Sequence, residues 1–544
     1  MQSDFEVGTL AEVPLIESVR VMRMKKKPNF VFIISIALTL LICIWGLVLP
    51  SSFTAAAQGS LGFLTKNFAW LYCLAMTIFV GFCIYIGFFS KYKKMRLGPD
   101  GSKPEYSTIA WFAMLFSAGM GVGLVFWGTA EPMNFFVTPL DGIESGSAEA
   151  MRFAFSRSFL HWGIHPWANY AVLALALAFM QFRRNKPALI SSVFIPLIGE
   201  KRTNGWIGKL IDILALFATA GGVATSLGLG VLQINSGLNF LFEIPETRLV
   251  QLVLIIILAS IYIATAITGI DKGISFVCNL NVKIAVGVMA LLVIVGPTVP
   301  ILNNLMEGTG AYLSSLIEST FSVGAFKGEE WYRSWTIFYW AWWVAWAPFT
   351  SSFVARISKG RTIGEFIKGV MLLPAGFSVI WFSVFGTLGL ELDIEVIKES
   401  ITSTSTALFS VLDHYPLGTI VSIVMFVLIC TFFITSANSA TYVLGMYSEK
   451  GTLTPSNKSK IIWGVLMAAL AAAMLFSEGD GLNMLQTLSI VSAFPFVFIM
   501  LGSIPSLMKG LKEEKFLTDE ELAALKAAEE APAETPAVEP EIAG

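Results

Sequence analysis

Residues 107–129 read STIAWFAMLFSAGMGVGLVFWGT. The run is apolar from end to end and long enough, as a helix, to cross a hydrocarbon layer about 30 Å thick. Gly119, Gly121 and Gly123 interrupt it at alternate positions. Glycine weakens a helix by about 1 kcal/mol per residue relative to alanine. Alternate spacing does not gather the three on one helical face, as a packing seam of small residues would. The stretch is therefore read as a membrane helix with an unwound or closely approached segment, the small-residue seam being the competing reading.

The remainder of the chain is built alike. Its 544 residues are 55% hydrophobic and only 14% charged, where soluble domains carry roughly 25% charge. Apolar runs fall at 29–49, 66–90, 107–129, 152–181, 207–235, 247–268, 280–303, 334–354, 363–390, 415–443, 461–476 and 485–508. The ten-residue alternation of a membrane β-barrel is absent. The reading is an all-α polytopic membrane protein with twelve transmembrane helices. Basic turns such as Lys91–Arg96, Arg183–Lys186 and Arg356–Arg361 alternate with acidic ones, Glu131 and Asp141 to Glu149 among them. Basic loops stay inside, so both termini are expected in the cytoplasm. A net charge of -2 offers nothing to nucleic acid. Cys43, Cys73, Cys83, Cys278 and Cys430 show no metal-ligand spacing and read as small apolar residues. No secretory signal peptide is expected.

Residues 339–353 read YWAWWVAWAPFTSSF. In a helix Trp342 and Trp346 are i,i+4, Tyr339 and Trp343 are i,i+4, and Trp343 and Trp346 are i,i+3. One face can thus carry several indoles, a wall suited to a quaternary or sulfonium cation, which has no N–H to donate. An interfacial aromatic belt needs no ligand and competes with that reading. A second cluster, HWGIHPWANY at 161–170, holds Trp162, Trp167 and Tyr170. Trp167 and Tyr170 share a face, and a break at Pro166 would bring Trp162 to them. Two such clusters look like two walls of one pocket.

Polar groups interrupt the run at 415–443: Thr435, Ser436, Asn438 and Ser439. Ser436 and Ser439 can present hydroxyls on one face, and the glycine stretch can present carbonyls, the hard oxygens that sodium prefers. Those hydroxyls can equally back-bond to their own helix. His161 and His165 are one turn apart, but no carboxylate lies near them in sequence. A catalytic or metal role is set aside in favour of interior hydrogen bonds or ring orientation. No filter-like repeat argues for a channel.

These motifs carry a resemblance. FSAGMGVG at 116–123 with FWGTAEP at 126–132, HWGIHPW at 161–167, WAWWVAWAPF at 340–349 with ARISKGR at 355–361, and TSANS at 435–439 stand in the order found in the betaine/carnitine/choline transporter family. The chain resembles that family over roughly residues 29–509. The resemblance implies a LeuT-like fold of two inverted five-helix repeats, at 107–303 and 334–509. Two additional helices would precede them at 29–106, after a cytoplasmic segment at 1–28. A periplasmic amphipathic connection would lie at 304–333 and an acidic cytoplasmic tail at 510–544. It also implies a homotrimer in the bacterial inner membrane, bathed in lipid, that carries trimethylammonium or sulfonium solutes and is not an enzyme.

By matching positions, Trp162, Trp167, Tyr170 and Trp343 would form an aromatic box, with Trp346 just inward on the cytoplasmic route. Met120, Gly121 and Gly123 would line the flexible stretch. With Na+ as coupling ion, Ser117 and Met120 would supply backbone oxygens and Thr435 and Ser436 hydroxyls. Phe432 would lie near a second ion beside Thr219 and Tyr170. A threonine expected one turn after Thr219 is Val223 here, so the second ion does not carry over with the motif. Choline carriers tend to place Asp where this chain has Gly123, which favours a zwitterion such as glycine betaine. No buried arginine stands out as a replacement for sodium, which favours symport over sodium-independent exchange of carnitine or betaine. The motifs are also compatible with a carrier of choline or of dimethylsulfoniopropionate. A nontransporting onium sensor or an onium lyase stands further off.

Overall fold

The computed structural model describes residues 29–119, 121–268, 271–477 and 481–530, the side chains of 116–119, 271–276 and 526–530 lying outside the description. The described chain is helical, with one isolated antiparallel bridge between Arg96 and Thr362. The long helices are α1 (Phe30–Val48), α2 (Pro50–Ile84), α3 (Thr108–Gly119), α4 (Val122–Val137), α5 (Ala148–Trp162), α6 (Ile164–Ala178), α7 (Trp206–Phe242) and α8 (Arg248–Thr268). They continue as α9 (Asp271–Val295), α10 (Thr298–Phe321), α11 (Phe338–Ile357), α12 (Ile363–Leu390), α13 (Gly418–Ser448), α14 (Asn457–Leu475), α15 (Gly481–Glu513) and α16 (Asp519–Glu530).

Ten helical segments among the described residues are long and apolar enough to cross a membrane. They are not equivalent. The continuous segment made by α5, α6 and the turn after them is almost wholly buried, as is most of α7, whereas α1, α8 and α9 turn most of their apolar surface outward. Apolar side chains on the outside of a bundle have a favourable medium only in hydrocarbon. The tryptophan helix α11 lies at the centre against α6, α7 and α15.

Two breaks shape the interior. The first falls where the glycines predict it: α3 ends at Gly119 and α4 starts at Val122, with Gly121 at φ -115° and ψ -144°. The second lies at Gly163, not at Pro166. A Cβ at Gly163 would overlap the carbonyl oxygen of Phe159, so only glycine fits. Pro166 sits within the first turn of α6, where its missing N–H leaves no helical bond unmade.

Much of the stretch read as a connection at 304–333 is helical. The chain turns at Gly296-Pro297, and α10 runs through 303 to Phe321 before the approach to α11. His165 Nε2 meets Thr320 Oγ1 of this helix at 2.9 Å. The tail holds the short charged helix α16. Its start is capped by Thr518, whose Oγ1 accepts from Glu521 N at 3.2 Å, while the Glu521 carboxylate accepts from Thr518 N at 2.7 Å. Arg96 grips Asp519 with two bonds of 2.7 and 2.5 Å, and Lys94 reaches Glu520 at 2.9 Å. Residues 1–28 and 531–544, read as cytoplasmic segments, lie outside the described residues.

Candidate functional site

The turn at Gly163 swings α5 and α6 so that both ends of the HWGIHPWANY stretch face α11. Trp162 and Trp343 meet edge to face with ring centroids 4.9 Å apart. Tyr170 stands 6.4 Å from Trp343, nearly perpendicular to it, and Trp167 lies 5.7 Å from Tyr170. All four are buried. The two aromatic clusters therefore meet in the interior, which the belt reading does not accommodate.

Three of the indoles are anchored by their N–H groups. Trp162 Nε1 donates to Glu131 Oε2 at 2.7 Å, Trp343 Nε1 to the carbonyl of His161 at 2.9 Å, and Trp346 Nε1 to the carbonyl of Gly222 at 2.8 Å. Asn169 Nδ2 holds the backbone of α11 through the Trp343 carbonyl at 2.8 Å. A buried polar atom without a partner is costly, so these bonds fix where each ring can sit.

A small cavity lies between these rings and the glycine break. Gly121, Gly123, Trp162, Trp343, Trp346 and Ser436 are among the residues that line it, as are Trp342, Phe433 and Ser226. It encloses about 20 Å³, near the least that holds one water. A trimethylammonium head needs more room than this, so the walls must part to admit one. The close approach explains the glycines. A Cβ at Gly123 would fall 2.8 Å from Cη2 of Trp342 and 3.2 Å from Cη2 of Trp162; one at Gly121 would fall 3.1 Å from Ser436 Oγ. Tyr170 packs on the Trp343 ring and Trp167 on Tyr170, and neither is among the cavity's lining residues.

The oxygen donors divide. Ser436 lines the cavity opposite Gly121. Thr435 Oγ1 instead donates to the Thr431 and Phe432 carbonyls at 2.9 and 3.2 Å, and Thr219 Oγ1 to Ala215 at 2.8 Å. These two hydroxyls adopt the back-bonded arrangement, which leaves their lone pairs available. Phe432 is buried. Ser117 lies on α3 with its side chain outside the description, and Met120 lies outside the described residues.

Two residues correct the sequence reading. Glu131, assigned to an acidic outer loop, is fully buried on α4. Its Oε1 meets His161 Nδ1 at 2.8 Å, and its Oε2 accepts from Trp162 and also from the Tyr339 hydroxyl. The available signal was its position within an apolar run rich in aromatic residues, but charge alone placed it outside. Arg157 is likewise buried. It donates to the Tyr332 hydroxyl at 3.0 Å and lies over the Phe153 and Tyr332 rings. Its contacts are thus away from Ser436 and the glycine break. Among the described residues no group of three His, Cys, Asp or Glu side chains is placed to hold an ion. His161 Nε2 faces Thr336 Oγ1 at 3.0 Å, and the His165 ring stacks on Trp340 at 5.0 Å.

Comparison with known proteins adds to this geometry. The chain is 45% identical over 495 residues to the glycine betaine transporter OpuD of Bacillus subtilis, covering 90% of this chain and 96% of that one. It is 44% identical over 498 residues to a probable glycine betaine transporter of Desulfitobacterium hafniense, with 91% and 99% covered. It is 41% identical over 500 residues to an ectoine/hydroxyectoine transporter of Virgibacillus pantothenticus, again with 91% and 99% covered. The model of the BCCT, betaine/carnitine/choline family transporter, matches residues 30–516. The chain belongs to the betaine/carnitine/choline transporter family, and it is a membrane carrier rather than an enzyme.

Proposed function

We propose that this carrier imports glycine betaine or a similar zwitterionic onium solute by sodium symport, through alternating access. The observation that carries the reading is the meeting of Trp162 and Trp343, from separate helices, at 4.9 Å beside the glycine break. Indole faces attract a methylated cation through their quadrupoles, and each is worth about 0.5–2 kcal/mol when dry. The start of α4 opens into the same cavity, so a substrate carboxylate would meet helix N-terminal N–H groups. Relatives named for glycine betaine and for ectoine share the zwitterionic character of this cargo.

In this reading Trp162, Trp167, Tyr170 and Trp343 bind the onium head, with Trp346, Met120, Gly121 and Gly123 around it. Ser117, Met120, Thr435 and Ser436 hold Na+, and Phe432 and Thr219 flank a second position. Sodium between the break and α13 steadies the unwound segment, and occupancy of both sites permits rocking to the inward state. The ten apolar segments, the α3–α4 pair and α11 make twelve crossings in this scheme, in two inverted repeats at 107–303 and 334–509. Both termini are cytoplasmic, and the carrier works as a trimer in the bacterial inner membrane.

The test is uptake of labelled glycine betaine into proteoliposomes with and without an inward sodium gradient, against a panel of choline, carnitine, dimethylsulfoniopropionate and ectoine. Ser436→Ala should raise the half-saturating sodium concentration several-fold, and more than Thr435→Ala does. Uptake that ignores the gradient and needs internal carnitine or betaine would replace symport with exchange.

A further inference from the structure

The geometry points to Glu131 as the positioning residue of the aromatic box, the acceptor that fixes the Trp162 ring. The proposal rests on the onium reading above for its consequence in transport, but not for the anchor itself. An ionisable side chain at membrane depth needs partners or a function, and Glu131 has partners on two other elements. His161 and Trp162 come from the end of α5, Tyr339 from α11, and Glu131 itself from α4, nearly three turns past Gly121. All four side chains are buried.

The connections are arranged to hold both cavity walls. One carboxylate oxygen takes the Trp162 indole N–H at 2.7 Å; the other meets His161 Nδ1 at 2.8 Å. The His161 carbonyl, in turn, accepts the Trp343 indole at 2.9 Å, and the His161 ring stacks on Tyr339 with centroids 4.6 Å apart. The Trp162 ring is also packed by Phe382 and Trp342. Packing alone permits an indole to slide in its plane; a bond to its N–H removes that freedom. Glu131 thus ties the middle of α4 to the orientation of the ring that an onium head must meet. It touches no substrate in this role.

The experiment uses full-length protein in nanodiscs and proteoliposomes, labelled with 5-fluorotryptophan. The Trp162 resonance is assigned by its loss in Trp162→Phe. Glu131→Ala should shift or broaden that resonance and raise the half-saturating glycine betaine concentration about tenfold, the loss expected for one buried hydrogen bond, with the maximal rate little changed. Glu131→Gln should restore both. Its carbonyl still accepts from Trp162, and its amide can face His161 Nδ1 in the other tautomer. In the Trp162→Phe background, Glu131→Ala should add less than about threefold, since the anchored bond is already gone. An unmoved Trp162 resonance in Glu131→Ala overturns the proposal. So does a Gln variant as impaired as the Ala variant, which would make the charge itself the requirement. Should Glu131→Ala fail to accumulate, Trp162→Phe carries the test, because it keeps a ring and drops the same bond. A half-saturating concentration within twofold of wild type would then refute the anchor. If the wild-type protein carries no glycine betaine, the functional reading falls while the fluorine resonance still decides on Glu131.

Discussion

Trp343 offers the sharpest test of the box. Its ring is buried, edge to face with Trp162 at 4.9 Å, stacked on Trp342 at 5.0 Å and tied to the His161 carbonyl. Truncation to alanine would open a hole of the kind that costs about 3–5 kcal/mol in a core, mixing instability with lost binding. Leucine fills much of the space but has no quadrupole, whereas phenylalanine keeps a face and loses the N–H. Removing one dry cation–π contact, at about 0.5–2 kcal/mol, converts to about a two- to thirtyfold weaker Kd for glycine betaine. Trp343→Leu should show that loss by calorimetry, and Trp343→Phe should lie between it and wild type. The control is 3,3-dimethylbutanoate, which has the shape of glycine betaine without its positive charge. Its weak binding should be nearly unaffected by the leucine substitution. Equal losses for the charged and uncharged ligands would mean that Trp343 only packs. Membrane abundance falling in step with binding would equally refute the argument.

Gly123→Ala should lower glycine betaine uptake several-fold at unchanged abundance, because its Cβ would press on the outer edges of Trp342 and Trp162. Gly376→Ala on α12, where a Cβ meets nothing within 4 Å, should leave uptake unaltered, and a matching loss there would remove the steric explanation. The docking of α16 should depend on acid. Hydrogen bonds from Arg96, reinforced by its charge, hold the Asp519 carboxyl below the usual carboxylate range. A lowered value in the docked state means that docking is favoured above the ordinary range near pH 4. It is lost as pH falls through the lowered value. A spin label at position 525 should gain mobility over that window and stay ordered from about pH 5 to 8; constant mobility down to about pH 2.5 would show that Asp519 contributes nothing.

Much of the helix layout was legible. The run expected at 363–390 is α12, Ile363–Leu390, and that at 247–268 is α8, Arg248–Thr268. Length and hydropathy decide such helices because lipid forces each backbone group to bond within its own segment. The break at 119–122 was also readable, since three glycines lower helix stability at that point whatever packs around it. Helical periodicity placed Trp343 and Trp346 on neighbouring positions of one element, and their rings duly line one cavity.

Local composition and the helical repeat were enough to specify a helical membrane chain, its interrupted third run and two aromatic clusters, since each depends on residues close together in the chain. The meeting of Trp162 with Trp343, the second turn at Gly163, and the burial of Glu131 among His161, Trp162 and Tyr339 came from the folded bundle alone. Those outcomes depend on which surfaces face one another across distant stretches of chain. A buried carboxylate and a solvated one are the same letter until the donors around it have been brought there.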